Sequence, residues 1–307
     1  MRIDEILQRD EPTFSVEFFP YKTDKGREQL FETVEVLSKL EPSFFSVTYG
    51  AGGSTHDRRR TLEITKTIRD EHGVEAMAHL NCVGESAEGL RAVVDEIASA
   101  GIENVLALRG DPPAGQPDFV QPEDGLGSAA ELAQMINGSP HELAIGGACF
   151  PEVHPEAAGL DKDLAYLKTK VDAGASFLIT QLFFDNQVYF DFVPAARAAG
   201  IDVPIIPGIV PIVSLEQVRR TCKLCDATIP EPLEAALESL GGDERAEYEF
   251  GIAYAAQQCS ALLAHGAPGI HFYALNRWPA TKAILGALRA ARPWDSAPSE
   301  PLALPAA

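Results

Sequence analysis

The feature that most constrains this chain is a repeated pattern rather than a repeated motif. Short runs rich in β-branched and aromatic residues alternate, over eight rounds, with longer stretches of helical periodicity. Strands are expected near Thr13–Phe19, Phe44–Tyr49, Glu75–Cys82, Asn104–Arg109, Leu143–Phe150, Ser176–Phe183, Val203–Val210 and Gly269–Leu275. Helices are expected near Asp24–Leu40, His56–His72, Ala87–Ala100, Gly127–Asn137, Asp161–Ala173, Gln187–Ala199, Leu215–Asp226 and Arg277–Ala291. An extra helical pair, Pro232–Leu240 and Asp243–His265, precedes the last strand. Strict alternation calls for parallel strands, because a parallel partner needs a crossover long enough to hold a helix. Eight rounds within 307 residues favour closure into a (βα)8 TIM barrel over an open sheet. The expected fold class is α/β, a single barrel domain over residues 1–291. Residues 292–307, rich in Pro, Ala and Ser, are expected to form a flexible tail.

Local chemistry agrees with this reading. Gly101, Gly174, Gly200 and Gly266 each follow an apolar helical stretch, where a left-handed residue ends a helix. Within the first strand Phe14, Val16 and Phe18 share one face, and Ser15, Glu17 and Phe19 the other. If the first set meets the helices, Glu17 points into the barrel near its C-terminal end. Lys plus Arg number 25 against 45 Asp plus Glu, a formal charge of −20. Such a surface argues against nucleic-acid and anionic-membrane binding. No apolar run reaches membrane-spanning length, and charged residues fill the first fifteen positions where a signal peptide would be apolar. Five sparse cysteines, an odd number, suit reduced thiols and a cytoplasmic location.

Polar residues at C-terminal strand ends are the default site candidates of a barrel. Here they are Glu17, Thr48-Tyr49, His79, Arg109-Gly110-Asp111, Glu152-Val153-His154, Gln181 and Asn276-Arg277. Glu17 stands among aromatics, whose desolvation raises a carboxyl pKa and suits a general acid; the alternative is an ion pair with Arg or Lys inside the barrel. Arg109 suits either a phosphate clamp or an Arg–Asp bridge between strands. His154, between Pro151 and Pro155, suits either ligand contact or hydrogen bonding within its loop. His79 reads equally as a satisfied core histidine. Gly50-Ala51-Gly52-Gly53 offers exposed amides to a phosphate. Cys222-Lys223-Leu224-Cys225 has redox or zinc spacing but no second pair and a helical context, so coincidence is the expectation. No metal-grade His/Asp/Glu cluster is apparent.

Nine ordered strings carry a resemblance. They are Phe14–Pro20 (FSVEFFP), Ser46–Gly53 (SVTYGAGG), Ala78–Cys82 (AHLNC), Ala107–Pro113 (ALRGDPP), Pro151–Ala157 (PEVHPEA), Lys170–Ala175 (KVDAGA), Ile179–Asp185 (ITQLFFD), Ile206–Pro211 (IPGIVP) and His271–Arg277 (HFYALNR). Together they resemble methylenetetrahydrofolate reductases of the short bacterial type. The resemblance implies FAD at the C-terminal rim and ping-pong reduction of 5,10-methylenetetrahydrofolate to 5-methyltetrahydrofolate by NAD(P)H, a step that supplies methyl groups for methionine synthesis. It implies Glu17 as the general acid toward N10 and Asp111 as the carboxylate between flavin and pterin. Gln181, Gln217 and Arg277 would contact the folate. Thr48 would lie near the nicotinamide. Tyr49, Ala51, His79, Arg109, Gly110, Asp111, His154, Ala157, Asp163 and Lys170 would hold the flavin. The chain departs from the family pattern at Phe150, at Leu126-Gly127-Ser128-Ala129, at Tyr166 and at Thr221. Members form dimers and tetramers, so a homo-oligomer is expected. The competing readings are a flavin-independent reductase with direct hydride transfer from NAD(P)H, and a non-catalytic folate-binding barrel.

Overall fold

The computed structural model describes residues 1–49, 55–110 and 121–295, with the backbone alone for 55–58. Ala51 and Asp111, the Gly50–Gly53 turn and most of the expected tail lie outside the described residues.

In chain order the elements are α1 (Ile3–Ile6), β1 (Thr13–Phe18), α2 (Asp24–Ser38), β2 (Phe44–Val47), α3 (Thr55–His72), β3 (Ala76–Asn81), α4 (Ala87–Ser99) and β4 (Asn104–Leu108). There follow α5 (Ala129–Asn137), β5 (Ala144–Cys149), α6 (Leu160–Asp172), β6 (Phe177–Thr180), α7 (Asn186–Ala198), β7 (Ile205–Ile206) and β8 (Gly208–Ile209). The chain continues with α8 (Leu215–Cys225), α9 (Glu231–Ser239), α10 (Glu244–Ala264), β9 (Gly269–Tyr273) and α11 (Trp278–Ala291). Helix starts are capped as their residues dictate: Thr23, Ser86, Ser128 and Ser214 each accept the N–H three positions on. The four helix-ending glycines all have positive φ, from 75° to 121°.

All strands are parallel, in the order β7-β6-β5-β4-β3-β2-β1-β9-β8. The strand expected at Val203–Val210 is two short strands. Pro207 separates them and has no N–H for a ladder. β7 pairs with β6, whereas β8 pairs with β9, so this one segment closes the α/β (βα)8 barrel. The extra helical pair is present as α9 and α10.

Strand parity divides the core in two. Phe14, Val16 and Phe18 pack outward with Leu30, Val34 and Leu37 of α2. Inside, Phe44, Met77, Leu106, Phe177, Ile179 and Ile206 form a layer covered from below by Ile3 and Ile6 of α1. That four-residue helix was not expected, because it is too short to show periodicity. Order continues a few residues past α11. Pro293–Asp295 form a 3-10 turn, with Pro293 buried and the Trp294 ring 5.7 Å from Phe14. Aromatic packing on β1 outweighs the loop-like composition there.

Candidate active site

Glu17, near the end of β1, points into the barrel and is 7% exposed. The flanking Phe18 faces the helices, so sequence neighbours are not what desolvates the carboxyl. The groups around it come from other strands. Its Oε2 lies 3.5 Å from His79 Nε2 on β3 and 3.6 Å from His271 Nε2 on β9. Register places Ser46 and Tyr273 beside it. Among the described residues no lysine or arginine pairs with Glu17, so the ion-pair alternative is not realised there.

His271 is fixed from behind. Its Nδ1 lies 2.8 Å from Ser15 Oγ, and its ring stacks on Phe44 and meets Tyr273 edge-on. The Tyr273 hydroxyl donates to Thr180 O at 2.7 Å, and burial raises its pKa well above the ordinary value, with Glu17 adding to the shift. Burial pushes the His79 imidazole down to about 4, against a smaller upward pull from Glu17, so it is neutral at physiological pH. The Nε2 atoms of both histidines and the Ser46 hydroxyl are buried without hydrogen-bond partners among the described residues. Buried polar atoms without partners are rare and call for an occupant. Here they converge on one carboxyl.

A second cluster surrounds the loop after β5. Arg109 forms a bidentate pair with Glu156, at 2.6 and 2.8 Å, while a bridge to Asp111 lies outside the described residues. Asp163 of α6 is buried and accepts the His154 amide at 2.9 Å. The His154 Nδ1 accepts from the Glu156 amide at 3.1 Å, so hydrogen bonding within the loop does occur. Its ring meets Phe150 edge-on at 4.5 Å. Ala157 donates its N–H to His154 O. Val153 holds this turn at φ 71°, a conformation that costs a β-branched residue about 1–2 kcal/mol. Lys170 is buried, donates to Ala148 O at 2.6 Å and lies 5.8 Å from the Tyr166 ring. Burial lowers its pKa.

The remaining expected residues scatter around the rim. Gly110 has φ 89°, and a Cβ there would come within 2.6 Å of Val83 Cγ1. Tyr49 is buried in the outer layer with Leu90, Val94 and Ile97 of α4, and the Thr48 carbonyl accepts from Thr61. Gln181 bonds the adjacent Leu182 amide. Gln217 is buried with both ends of its amide engaged, accepting from Val213 N and donating to Pro211 O. It therefore holds the loop after β8. Arg277 is exposed and opens α11. Before it, Leu275 and Asn276 have φ 53° and 55°, and the Asn276 amide brackets the backbone of Phe19 at 2.8 and 2.9 Å. Cys222 and Cys225 lie on α8, and all five cysteines are thiols. Burial raises Cys222 to about 12, which suits neither metal ligation nor redox exchange.

Reading the sequence strand by strand missed Ser15 and His271 as parts of the site. The available signal was parity. Ser15 shares the Glu17 face, and His271 occupies the matching face of the strand that must close on β1.

The family model described as methylenetetrahydrofolate reductase matches residues 2–289. The chain is 42% identical over 285 residues to "Methylenetetrahydrofolate reductase (NADH) 1" of Arabidopsis thaliana, covering 90% of this chain and 48% of the plant protein. It is 37% identical over 272 residues to "5,10-methylenetetrahydrofolate reductase" of Escherichia coli K12, covering 88% of each. The chain spans about half the length of the plant relatives it matches. A solved structure titled "Uncharacterized protein from Clostridium thermocellum binds two copies of 5-methyl-5,6,7,8-tetrahydrofolic acid" superposes with a TM-score of 0.65. It covers 95% of this chain and 99% of its own, and at 15% identity it bears on the fold alone. With the family model spanning nearly the whole barrel, the chain belongs to the methylenetetrahydrofolate reductase family.

Proposed function

We propose that this protein reduces 5,10-methylenetetrahydrofolate to 5-methyltetrahydrofolate with NAD(P)H, using FAD held at the C-terminal rim. The observation that carries the reading is Glu17: a buried carboxyl facing two imidazole nitrogens that have no hydrogen-bond partner among the described residues, with no cation paired to it there. A carboxyl so placed faces the barrel mouth rather than a paired lysine or arginine, which is the position a general acid toward a bound substrate needs.

The residues present fit a flat, anionic cofactor. The Nε2 of His79 lacks a hydrogen-bond partner among the described residues, the guanidinium of Arg109 reaches the rim beside Glu156, Lys170 donates from beneath the same loop, and Phe19, Tyr166 and Leu275 leave apolar surface exposed. Gly110, Arg109, His154, Ala157, Asp163, Lys170, His79 and Tyr49 would hold the group. Asp111, Ala51 and Thr48 complete the proposed set. Bound there, the flavin supplies hydride transfer between nicotinamide and folate, which no side chain provides. Glu17 donates its proton to N10 of the folate as the five-membered ring opens. His271, oriented by Ser15, and neutral His79 keep that carboxyl in place. Arg277 and Gln181 bind the folate from the rim, and Gln217 shapes the loop beside it. A cytoplasmic homo-oligomer acting on small molecules, without nucleic acid or membrane partners, is part of the same proposal.

The test is Glu17→Gln in purified protein of known flavin content. Folate reduction should be abolished while reduction of the flavin by NAD(P)H continues. Folate turnover at the parental rate in that variant refutes the general-acid role. Colourless protein that still reduces folate refutes the flavin and leaves direct hydride transfer from the nicotinamide.

A further inference from the structure

A cavity of about 340 Å³ opens at the opposite end of the barrel from Glu17. Its wall is built where β1 begins and α11 ends, from Arg9, Glu11, Phe14, Arg289, Arg292 and Trp294 among others. Phe14 is three residues before Glu17, so the cavity lies about 10 Å down the strand from the carboxyl, at roughly 3.3 Å per residue. A ligand there takes no part in chemistry at the rim.

Three features of the wall point the same way. First, it carries three guanidinium groups against the single carboxylate of Glu11, on a chain whose net charge is −20. Second, those cations are unequally neutralised. Arg292 pairs with Glu11 at 2.7 Å and with Asp295 at 2.5 Å. Arg289 makes no ion pair among the described residues; it donates to the Glu41 carbonyl at 2.7 Å and lies over the Phe14 ring. Third, Arg289 Nε and Trp294 Nε1 are buried with no hydrogen-bond partner among the described residues. Both are donors only and are covered as the side chains stand, so a ligand completes them only by bringing acceptor oxygens and drawing these groups toward the cavity. A planar guanidinium that is charged, not ion-paired and set in a concave wall matches carboxylate and phosphate geometry. The volume lies at the small end of ligand sites.

We propose that this cavity is a second ligand site, separate from the reductase site and independent of the function proposed above, and that it takes a small oxyanion, a carboxylate or phosphate. Arg289 is its central contact, with Arg9 and Arg292 at its edge. Ligand binding there draws the guanidinium of Arg289 and the Trp294 indole toward the anion.

Trp294 reports directly, because the chain has only one other tryptophan, Trp278. Trp278→Phe protein is titrated with inorganic phosphate and, separately, with citrate, at constant ionic strength held with sodium chloride. A saturable change in Trp294 fluorescence is expected, accompanied by a rise in Tm, since a ligand of the folded state stabilises it. Arg289→Gln in the same background should weaken binding about tenfold or more. Should that variant fold poorly, Arg9→Gln, at an exposed position, should weaken it severalfold. The tighter of the two probes identifies the preferred head group. A change that sodium chloride reproduces, or affinities unaltered by both arginine variants, would overturn the proposal.

Discussion

Replacing His79 by Gln should flatten the acid limb of the protein's stability curve. Burial holds the folded imidazole near pKa 4, whereas the unfolded chain returns it to the ordinary 6.5. Below pH 6.5 the unfolded state therefore binds a proton that the folded state refuses, and stability falls as pH drops toward 4. The linkage relation puts the loss at about 2 kcal/mol by pH 5 and about 3 kcal/mol by pH 4. Above pH 6.5 both states are neutral and the term vanishes. For a domain of this size 1 kcal/mol corresponds to about 2 °C in Tm. Between neutral pH and pH 5 the parent should thus lose about 4 °C more than His79→Gln. Calorimetry of both proteins across that range, at one ionic strength, gives the difference, because titrating groups remote from His79 cancel between them. Parallel curves would show that folded His79 takes up its proton at the same pH as the unfolded chain, near 6.5, and is therefore charged at pH 5. In that case an imidazolium would sit 3.5 Å from Glu17, and the carboxyl would be an ion-paired anion rather than a proton donor.

Other substitutions test the supports of the rim. Asn276→Ala removes two hydrogen bonds to the Phe19 backbone and leaves a non-glycine residue at φ 55°; urea unfolding should show a loss of about 2 kcal/mol. Asn276→Gly loses the same bonds without the conformational cost and should fall measurably less, so equal losses would refute the strain component. Val153→Gly relieves a β-branched residue at φ 71° and should raise stability by about 0.5 kcal/mol in the same assay, where a clear loss would show that packing of the valine dominates.

Much of the rim was legible before any tertiary contact was known. Alternation on β1 placed Glu17 inward, since side chains on a strand must alternate. The same reading assigned its desolvation to Phe18 and Phe19, and there it failed. Phe18 packs on α2 and Phe19 is exposed, while His79, His271 and Tyr273 enclose the carboxyl. Arg109 was legible as a rim cation, but its partner Glu156 was not, because a loop after a different strand delivers it. Gln217 was legible only as a match to a family position, and its amide proves to hold the loop after β8.

What the chain's own order of residues determined is what local stereochemistry controls: where strands and helices run, which face of each is apolar, and which polar groups arrive at strand ends. Closure of the barrel decided the rest. It set β9 beside β1, bringing His271 to Ser15 and Glu17 across more than 250 residues, split the penultimate strand at Pro207 so that it joins both neighbours, and seated α1 beneath the inner layer. Periodicity is a property of a few consecutive residues, whereas contact between distant strands depends on how all the intervening crossovers pack, and no short window of residues encodes that.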